Sequence, residues 1–502
     1  MGRGCRMIAI SDHKTGTRAP GVQQDDLLQK LVAICGQSNL LTGRQTSSYA
    51  RDWRGQYPSH PLAVVRPGTT QEVSSILSLA NEHGCPVVPL GGNTGLVGGT
   101  QTDGGLMVSL ERMKRIRAID PAGRTASVDA GVIVEEVNCA VERFGLRFPL
   151  AFGADGSAMI GGALSTNAGG ANVLAFGMAR ALCLGLEVVL PDGRILDDMV
   201  ALRKNNTGYD LKHLFIGAEG TLGLITGAVL TLTDLPTTHA TALIGVNTLD
   251  DGLKALGRLR RACGSQLEAF EVMPESYLKR LLGSQEAPNF PFPEVPGAAI
   301  LVELASSSPI DCTPNDKGET PLIERLATEL GDCIGTGVVT DAVIAHNAQQ
   351  RAALWRLRDT APELTKGLTP VVAADVSVPL DLIGEFEPSL QQSVRSMDPD
   401  ALFWTVGHLG DGNLHIVVCT GDKSPEHMAR VRNVIDETTM RFQGAFSAEH
   451  GVGIQKLESM SAFKSPVALD LMRGIKAVFD PKGIMNPGKV LPDRLPGTMH
   501  EK

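Results

Sequence analysis

PLGGNTGLVGG, residues 89–99, places five glycines in eleven positions directly after an apolar run, VVPL, that reads as a short buried strand. Upstream lies TTQEVSSILSLANEHG, 69–84. Thr69 and Glu72 fit a capping box, and Val73, Ile76, Leu77 and Ala80 keep the spacing of one apolar helix stripe. Gly84 is placed to end that helix. Helix, strand and glycine loop in this order are α/β punctuation. One such loop by itself is more often a tight turn than a ligand site.

Two further glycine-rich stretches follow, GADGSAMIGGALSTNAGG (153–170) and IGAEGTLGLITG (216–227). Successive glycines let backbone N–H groups converge on an anion with no side chain in the way. Asn93, Thr94, Ser157, Thr166 and Asn167 are positioned to add hydrogen bonds. Two such loops in one domain suit a pyrophosphate, hence a dinucleotide. The chain has no G-x-G-x-x-G fingerprint and no G-x-x-x-x-G-K-[ST] loop, which speaks against a Rossmann site and a P-loop nucleotidase. Spacing alone leaves a dinucleotide held by glycine loops of another kind.

Strand signals continue at LMVSL (106–110), ASVDAGV (126–132), LEVVLPDG (186–193) and LITGAVLTLT (224–233), with Pro191-Asp192-Gly193 as a turn. Near 236 the pattern changes. Strands at ALIGV, AAILVEL, ADVSVP and HIVVC then alternate with longer helices, so a domain boundary is expected there. SSSPIDCTPNDKGET (306–320) reads as a surface loop, and FDPKGIMNPGKVLP (479–492) as a non-helical segment packing back across the protein.

The chain has 502 residues, 43% hydrophobic and 20% charged, the range of a globular protein of two to four domains. Its formal charge of −9, without any Lys/Arg block, argues against nucleic acid and against strong attraction to anionic lipid. Nine cysteines stand singly, as expected of reduced thiols in an intracellular protein. The first residues lack the apolar core of a secretory signal and read as a disordered tail, and no apolar run is long enough to span a membrane.

HLGDGNLH, 408–415, sets two histidines around a turn. As an isolated pattern it is a hairpin in which Gly410 and Gly412 supply positive φ. SAEHGVG, 447–453, adds Glu449 and His450 before a second glycine turn. Two imidazoles and one carboxylate make three ligands, as in a catalytic metal site with open positions; Zn²⁺ suits them first, Fe²⁺ or Mn²⁺ also.

PLGGNTGLVGGT, IGGALSTNAGGAN and KNNTGYDLKHLFIGAEGTLGLIT resemble the FAD-binding domain of the vanillyl-alcohol-oxidase/p-cresol methylhydroxylase (PCMH) superfamily. More narrowly they resemble its D-2-hydroxyacid dehydrogenase branch: D-lactate and D-2-hydroxyglutarate dehydrogenases and the FAD subunit of glycolate oxidase. The resemblance runs from about residue 60 to 492. It implies an α+β protein: a PCMH-type FAD domain of two α+β subdomains (58–236), then a cap domain with an antiparallel sheet for substrate and metal (237–485). A tail (1–24) and a helical segment (25–57) precede these, and 486–502 return to the FAD domain.

By the same resemblance Pro89, Gly91, Gly92, Asn93, Thr94 and Gly95 cradle the pyrophosphate. Gly156, Ser157, Gly161, Gly162, Thr166, Asn167 and Gly170 line the flavin side. Glu219, Gly220, Ile225 and Asn486 complete the cofactor set. Residues 89–99 hold no His or Cys, so FAD is expected to be non-covalent. His408, His415 and Glu449 are implied as ligands of a divalent metal, Zn²⁺ first, and His450 as the catalytic base. In LWRLRDTAPEL (354–364), Arg358 matches the family's carboxylate clamp; its bland alternative is a surface Arg paired with Asp359 or Glu363.

The implied reaction is oxidation of a D-2-hydroxyacid to the 2-oxoacid. The electrons go to a quinone, a cytochrome or an electron-transfer flavoprotein; no NAD site is visible. The resemblance also implies a homodimer, cytoplasmic or peripheral at a membrane, or mitochondrial in a eukaryote. Members acting on D-2-hydroxyglutarate carry Lys near Ala373, Thr near Pro362 and Asn near Val417, none of which this chain has. The expected substrate is therefore D-lactate-like, with D-2-hydroxyglutarate or a glycolate oxidase subunit role as alternatives. Trp355, Phe403 and Trp404 are candidates to line the pocket, although residues at such helix or strand spacing are more often core. An alcohol oxidase or ether-lipid synthase of the same fold would not need the histidine set. A subunit that only relays electrons, or a metal module without flavin, are the remaining rivals.

Overall fold

A computed structural model describes residues 21–284, 287–316 and 318–493; the expected tail at 1–24 lies almost wholly outside the described residues. The helix expected after Thr69 runs Thr70–His83. The Thr69 hydroxyl accepts the Glu72 N–H, and Gly84 closes the helix with φ 61°. The Glu72 carboxylate takes the N–H of Gly68 rather than that of Thr69, so the box is shifted by one residue. Val73, Ile76, Leu77 and Ala80 are fully buried, as the stripe requires.

The first half builds two sheets over one core. β1 (Leu40–Leu41), β2 (Ala63–Val65), β3 (Val87–Leu90) and β4 (Leu106–Ser109) form a sheet in the order β1-β2-β4-β3, parallel except for β1. The segment before residue 58 thus contributes a strand as well as helix. β5 (Ile116–Asp120) and β6 (Thr125–Asp129) precede a two-residue strand β7 (Leu146–Arg147). β8 (Cys183–Val189), β9 (Ile195–Asp198) and β10 (Leu224–Thr231) then complete an antiparallel sheet in the order β5-β6-β10-β8-β9. Gly193 (φ 88°) turns β8 into β9, where the Pro-Asp-Gly signal stands. β7 pairs with β11 (Thr233–Asp234).

The second half is one seven-stranded antiparallel sheet. Its strands are β12 (Thr238–Val246), β13 (Leu267–Pro274), β14 (Ala298–Ser306), β15 (Asp341–Ile344), β16 (Val371–Ser377), β17 (Leu402–His408) and β18 (Asn413–Cys419). The order is β15-β12-β14-β13-β17-β18-β16. The helices Leu249–Cys263, Pro321–Gly335, Ile383–Met397 and Pro425–Arg441 bury one face of it. Glu275–Leu282 and Ala348–Asp359 cover part of the other. This is the α+β architecture with an antiparallel cap that the sequence implied.

Three local expectations are adjusted. The loop at 306–320 contains a short helix, Pro309–Cys312. The return to the first half begins before residue 486: Ile484 and Met485 are already inside its core, and Phe479 packs edge-on against Phe215. Among the described residues the cysteines are unpaired and five of the eight are buried; Cys139 is exposed. Burial pushes the Cys85 and Cys183 thiols up to about 11 and about 12, which keeps them inert.

Candidate active site

The hairpin β17–β18 carries both histidines. Cross-strand partners share a face. His415 lies opposite Val406 on one side and Asp375 of β16 on the other, while His408 lies opposite Asn413. The histidines therefore project from the same face of the sheet. The turn between them is real as well: Gly412 has φ 80°. Gly410 does not adopt positive φ, contrary to the hairpin expectation. Its missing Cβ instead admits Leu174 of the first half, whose Cδ2 would stand 2.9 Å from it.

The loop after Ala445 brings in the remaining donors. Asp375 Oδ2 accepts the N–H groups of Glu449 (2.8 Å) and His450 (3.0 Å), and Asp375 Oδ1 accepts from Asn413 Nδ2 at 2.9 Å. Ligand atoms of Asp375, His415, Glu449 and His450 all fall within 4.8 Å of one another. His408 Nε2 is 3.7 Å from Glu449 Oε1, and its ring centroid is 5.4 Å from that of His415. The expected His408, His415 and Glu449 are thus together, with His450 stacked on His415 at 5.9 Å. Asp375 is the member that motif reading missed. Its only signal was a lone carboxylate in the middle of the apolar strand VVAADVSVP.

Electrostatics differentiates these groups. Burial lowers the His450 imidazole from its ordinary value, against the pull of Asp375. Burial also lowers His415. His408 behaves oppositely: burial would lower it, but Glu271, whose Oε1 meets Nδ1 at 2.6 Å, raises it to about 9. Burial lifts the Glu449 carboxyl to about 7. An imidazole oriented through Nδ1 by a buried carboxylate, with Nε2 facing the cluster, is how metal-binding histidines are usually held. His408, His415 and Glu449, with Asp375 bracing the Glu449 loop, form a donor set of the kind that holds Zn²⁺, Fe²⁺ or Mn²⁺.

Arg358 joins this site through the same glutamate. It is nearly buried, and its Nε donates to Glu271 Oε2 at 3.0 Å. Neither Asp359 nor Glu363 is its partner, which removes the surface-pair alternative. No acceptor among the described residues engages its Nη atoms. Trp404 and Phe403 are core residues as expected, and Trp355 Nε1 is bound to Glu303. Ala373 and Val417 face each other across β16 and β18, two residues along from the Asp375–His415 pair and on the same face. Pro362 lies in the turn after the Arg358 helix.

The three glycine loops converge. A Cβ on Gly92 would meet Ser157 O at 2.1 Å, one on Gly91 would lie 3.5 Å from Gly162, and one on Gly220 would meet Pro89 at 2.9 Å. At Gly95 and Gly162 a Cβ would find open space. Asn93, Asn167, Glu219 and Asn486 all have positive φ, and such non-glycine residues collect at functional sites. The side chains mostly brace the loops. Asn93 Nδ2 bonds Arg51 O, and its Oδ1 accepts from Thr100. Asn167 Oδ1 takes Arg180 N–H, and the Ser157 and Thr166 hydroxyls point to Ala154 and Gly162 carbonyls. Only the Thr94 hydroxyl is left unengaged among those five. Ile225 is a core residue of β10, Gly156 sits beside Glu135, and Gly161 and Gly170 admit Ala130 and Ala151 at close range. The cradle is therefore one of backbone and space, which fits a pyrophosphate and an extended cofactor. The second loop also touches the histidine site: a Cβ on Gly169 would be 3.0 Å from Glu449 Oε1.

Comparison with known proteins places the chain in a family. Residues 61–198 match the model described as "FAD binding domain", and 235–490 match "FAD linked oxidases, C-terminal domain". The rice (Oryza sativa subsp. japonica) protein named "Probable D-2-hydroxyglutarate dehydrogenase, mitochondrial" is 36% identical over 96% of this chain and 84% of its own. The D-2-hydroxyglutarate dehydrogenase of Xanthomonas citri pv. viticola is 36% identical over 88% of this chain and 92% of its own. Among solved structures, p-cresol methylhydroxylase with substrate bound superposes with a TM-score of 0.69 at 17% identity, over 95% of this chain and 98% of that one, which shows the shared fold. The chain is accordingly a member of the FAD-linked oxidases, a flavin oxidoreductase acting on CH–OH donors and related to the D-2-hydroxyglutarate dehydrogenases.

Proposed function

We propose that the chain oxidises a D-2-hydroxyacid to the 2-oxoacid and passes the electrons from non-covalent FAD to an acceptor other than NAD. One observation carries this reading: the Asp375, His415, Glu449 and His450 cluster lies directly against the second glycine loop, at Gly169. When bound, FAD supplies the hydride acceptor, and a divalent ion held by His408, His415 and Glu449 eases loss of the hydroxyl proton. His450, whose affinity for a proton burial lowers, takes that proton on a ring nitrogen. Arg358 presents its Nη atoms to the substrate carboxylate while Glu271 fixes its Nε.

The substrate's side chain is addressed by the sheet. Two residues of strand correspond to roughly 6.6 Å, so the Ala373–Val417 pair lies about one short side chain from the cluster and offers it only methyl groups. This favours a D-lactate-like monocarboxylate. The second reading, D-2-hydroxyglutarate, is favoured by the names of the relatives.

The test is a panel of D- and L-2-hydroxyacids with purified, FAD-loaded protein, read by dye reduction before and after chelation. Expected are preference for the D enantiomer, loss of turnover on chelation with recovery on adding Zn²⁺, Mn²⁺ or Fe²⁺, and kcat/KM at least about tenfold higher for D-lactate than for D-2-hydroxyglutarate. The pair A373K/V417N should move that ratio toward the dicarboxylate. Preference for L enantiomers, or indifference to chelation, would sink the site assignment; a preference for D-2-hydroxyglutarate would install the second reading.

A further inference from the structure

The loop that carries Glu449 and His450 is held at both ends by buried carboxylates from different halves of the molecule. Asp375, on the seven-stranded sheet, accepts the N–H groups of Glu449 and His450. Glu219, on the third glycine loop, accepts those of Val452 (2.7 Å, Oε1) and Gly453 (2.9 Å, Oε2). Four of five consecutive amides are thus captured by two side chains. Gly451, between the two grips, has φ 80°, and a Cβ there would come within 2.7 Å of Glu219 Oε1.

Glu219 is itself fixed by the other cofactor loops. Its backbone is left-handed (φ 51°), and its N–H donates to Ser165 O (2.8 Å), in the short helix of the second loop. Its carbonyl accepts Asn486 Nδ2 at 2.7 Å, and the same Nδ2 reaches Gly99 O of the first loop at 3.0 Å. The first loop also touches the strap directly, through Ile454 N–H and Gln455 N–H on Val97 O. Every polar atom of Glu219 therefore has a protein partner, with both carboxylate oxygens on the strap. A carboxylate accepting two backbone N–H groups makes strong, directional bonds.

We infer that Glu219 is a positioning residue that passes the arrangement of the three glycine loops to the loop bearing Glu449 and His450. Cofactor seated on the glycine loops stiffens the backbone of Glu219, and its two grips then hold Val452 and Gly453 in place. Without them the strap keeps Asp375 at one end, the Val97 contacts at the other and the bonds that Ser447 Oγ and Val490 N–H make to the Gly451 and Gly453 carbonyls, but it loses both carboxylate grips from the third glycine loop. This rests on the hydroxyacid reading only for the turnover measurement.

The test uses the full chain as wild type, Glu219→Ala and Glu219→Gln, each stripped of FAD and then reloaded. Hydrogen–deuterium exchange is followed in peptides covering 447–456, with flavin absorbance reporting reloading. Reloading should slow exchange there about fivefold or more in the wild type. In Glu219→Ala it should have little effect although FAD returns, and Glu219→Gln, which keeps one acceptor oxygen, should be intermediate. Turnover should fall about 100-fold in kcat for Glu219→Ala, as expected when a base is misplaced by about an ångström, with KM little changed. Equal slowing in Glu219→Ala and the wild type, or none in the wild type, would overturn the inference. Should Glu219→Ala fail to reload, Gly451→Ala decides, since it presses on Oε1 from the strap side and must show the same lost response. A wild type without hydroxyacid turnover would remove the proposed function, while the exchange measurement would still judge Glu219.

Discussion

Asp375 has no exposed surface, yet it works as a carboxylate. Burial pushes its pKa up; His450, His415, Lys456 and the Glu449 amide more than offset this and hold it below the usual range. It stays charged because N–H donors and imidazoles surround it, which makes it the pivot of the site. Asp375→Asn would turn an NH₂ toward amides that need an acceptor, leaving buried N–H groups unsatisfied. The expected outcome is a fall in kcat of about 100-fold or more with FAD retained, measured by dye reduction and the flavin spectrum. Loss of flavin with unchanged kcat per bound flavin would contradict this role.

Elements hold the site by close approach. Gly92 packs its backbone on Ser157 O, so Gly92→Ala must push two loops apart where no flexible side chain can yield. Overpacking of this kind costs about 1–3 kcal/mol; a lower Tm and reduced FAD retention on gel filtration are expected. The helix Ala348–Asp359 is docked on the sheet by one polar stripe: Arg351 and Trp355 on Glu303, and Arg358 on Glu271. Burial raises the Glu303 carboxyl, but Arg351, Trp355 and Thr241 outweigh it and hold the group below 4.5. A depressed folded pKa contributes stability that is fully present above the unfolded value and lost as pH falls through the folded one. The Tm difference between wild type and Glu303→Gln should therefore be largest above pH 4.5 and shrink on acidification. A difference independent of pH would exclude the ion pair as its source.

Over the whole molecule, two cores meet along a seam, and the chain crosses it more than once. After the second sheet is complete, Ile484 and Met485 re-enter the first core, and Met485 bridges to Val87 beside the first glycine loop. A residue near the end of the chain thus supports the cofactor cradle. Met485→Ala should cost about 2–5 kcal/mol, seen as a lower denaturation midpoint, with weaker FAD retention in the same preparation. Unchanged flavin retention despite the lower midpoint would uncouple the return segment from the cradle. No described helix is long and apolar enough to cross a membrane.

The sequence by itself determined what depends on local chemistry. The Thr69 cap, the buried stripe after it, the Pro-Asp-Gly turn and the glycine loops obey short-range rules of backbone and periodicity, and each lies where its residues put it. The motifs drew attention to His408, His415 and Glu449, and the family resemblance gave them and Arg358 their expected roles. What tertiary structure decided is who meets whom. Asp375 looks like a stray charge in a strand until register sets it opposite His415. Arg358 looks like a surface residue until Glu271, 87 positions away, takes it. Glu219 looks like part of a cofactor loop until Val452 and Gly453 arrive from 233 and 234 residues on. Contacts of that separation follow from how two cores pack, and no local window of residues contains the energy that fixes them.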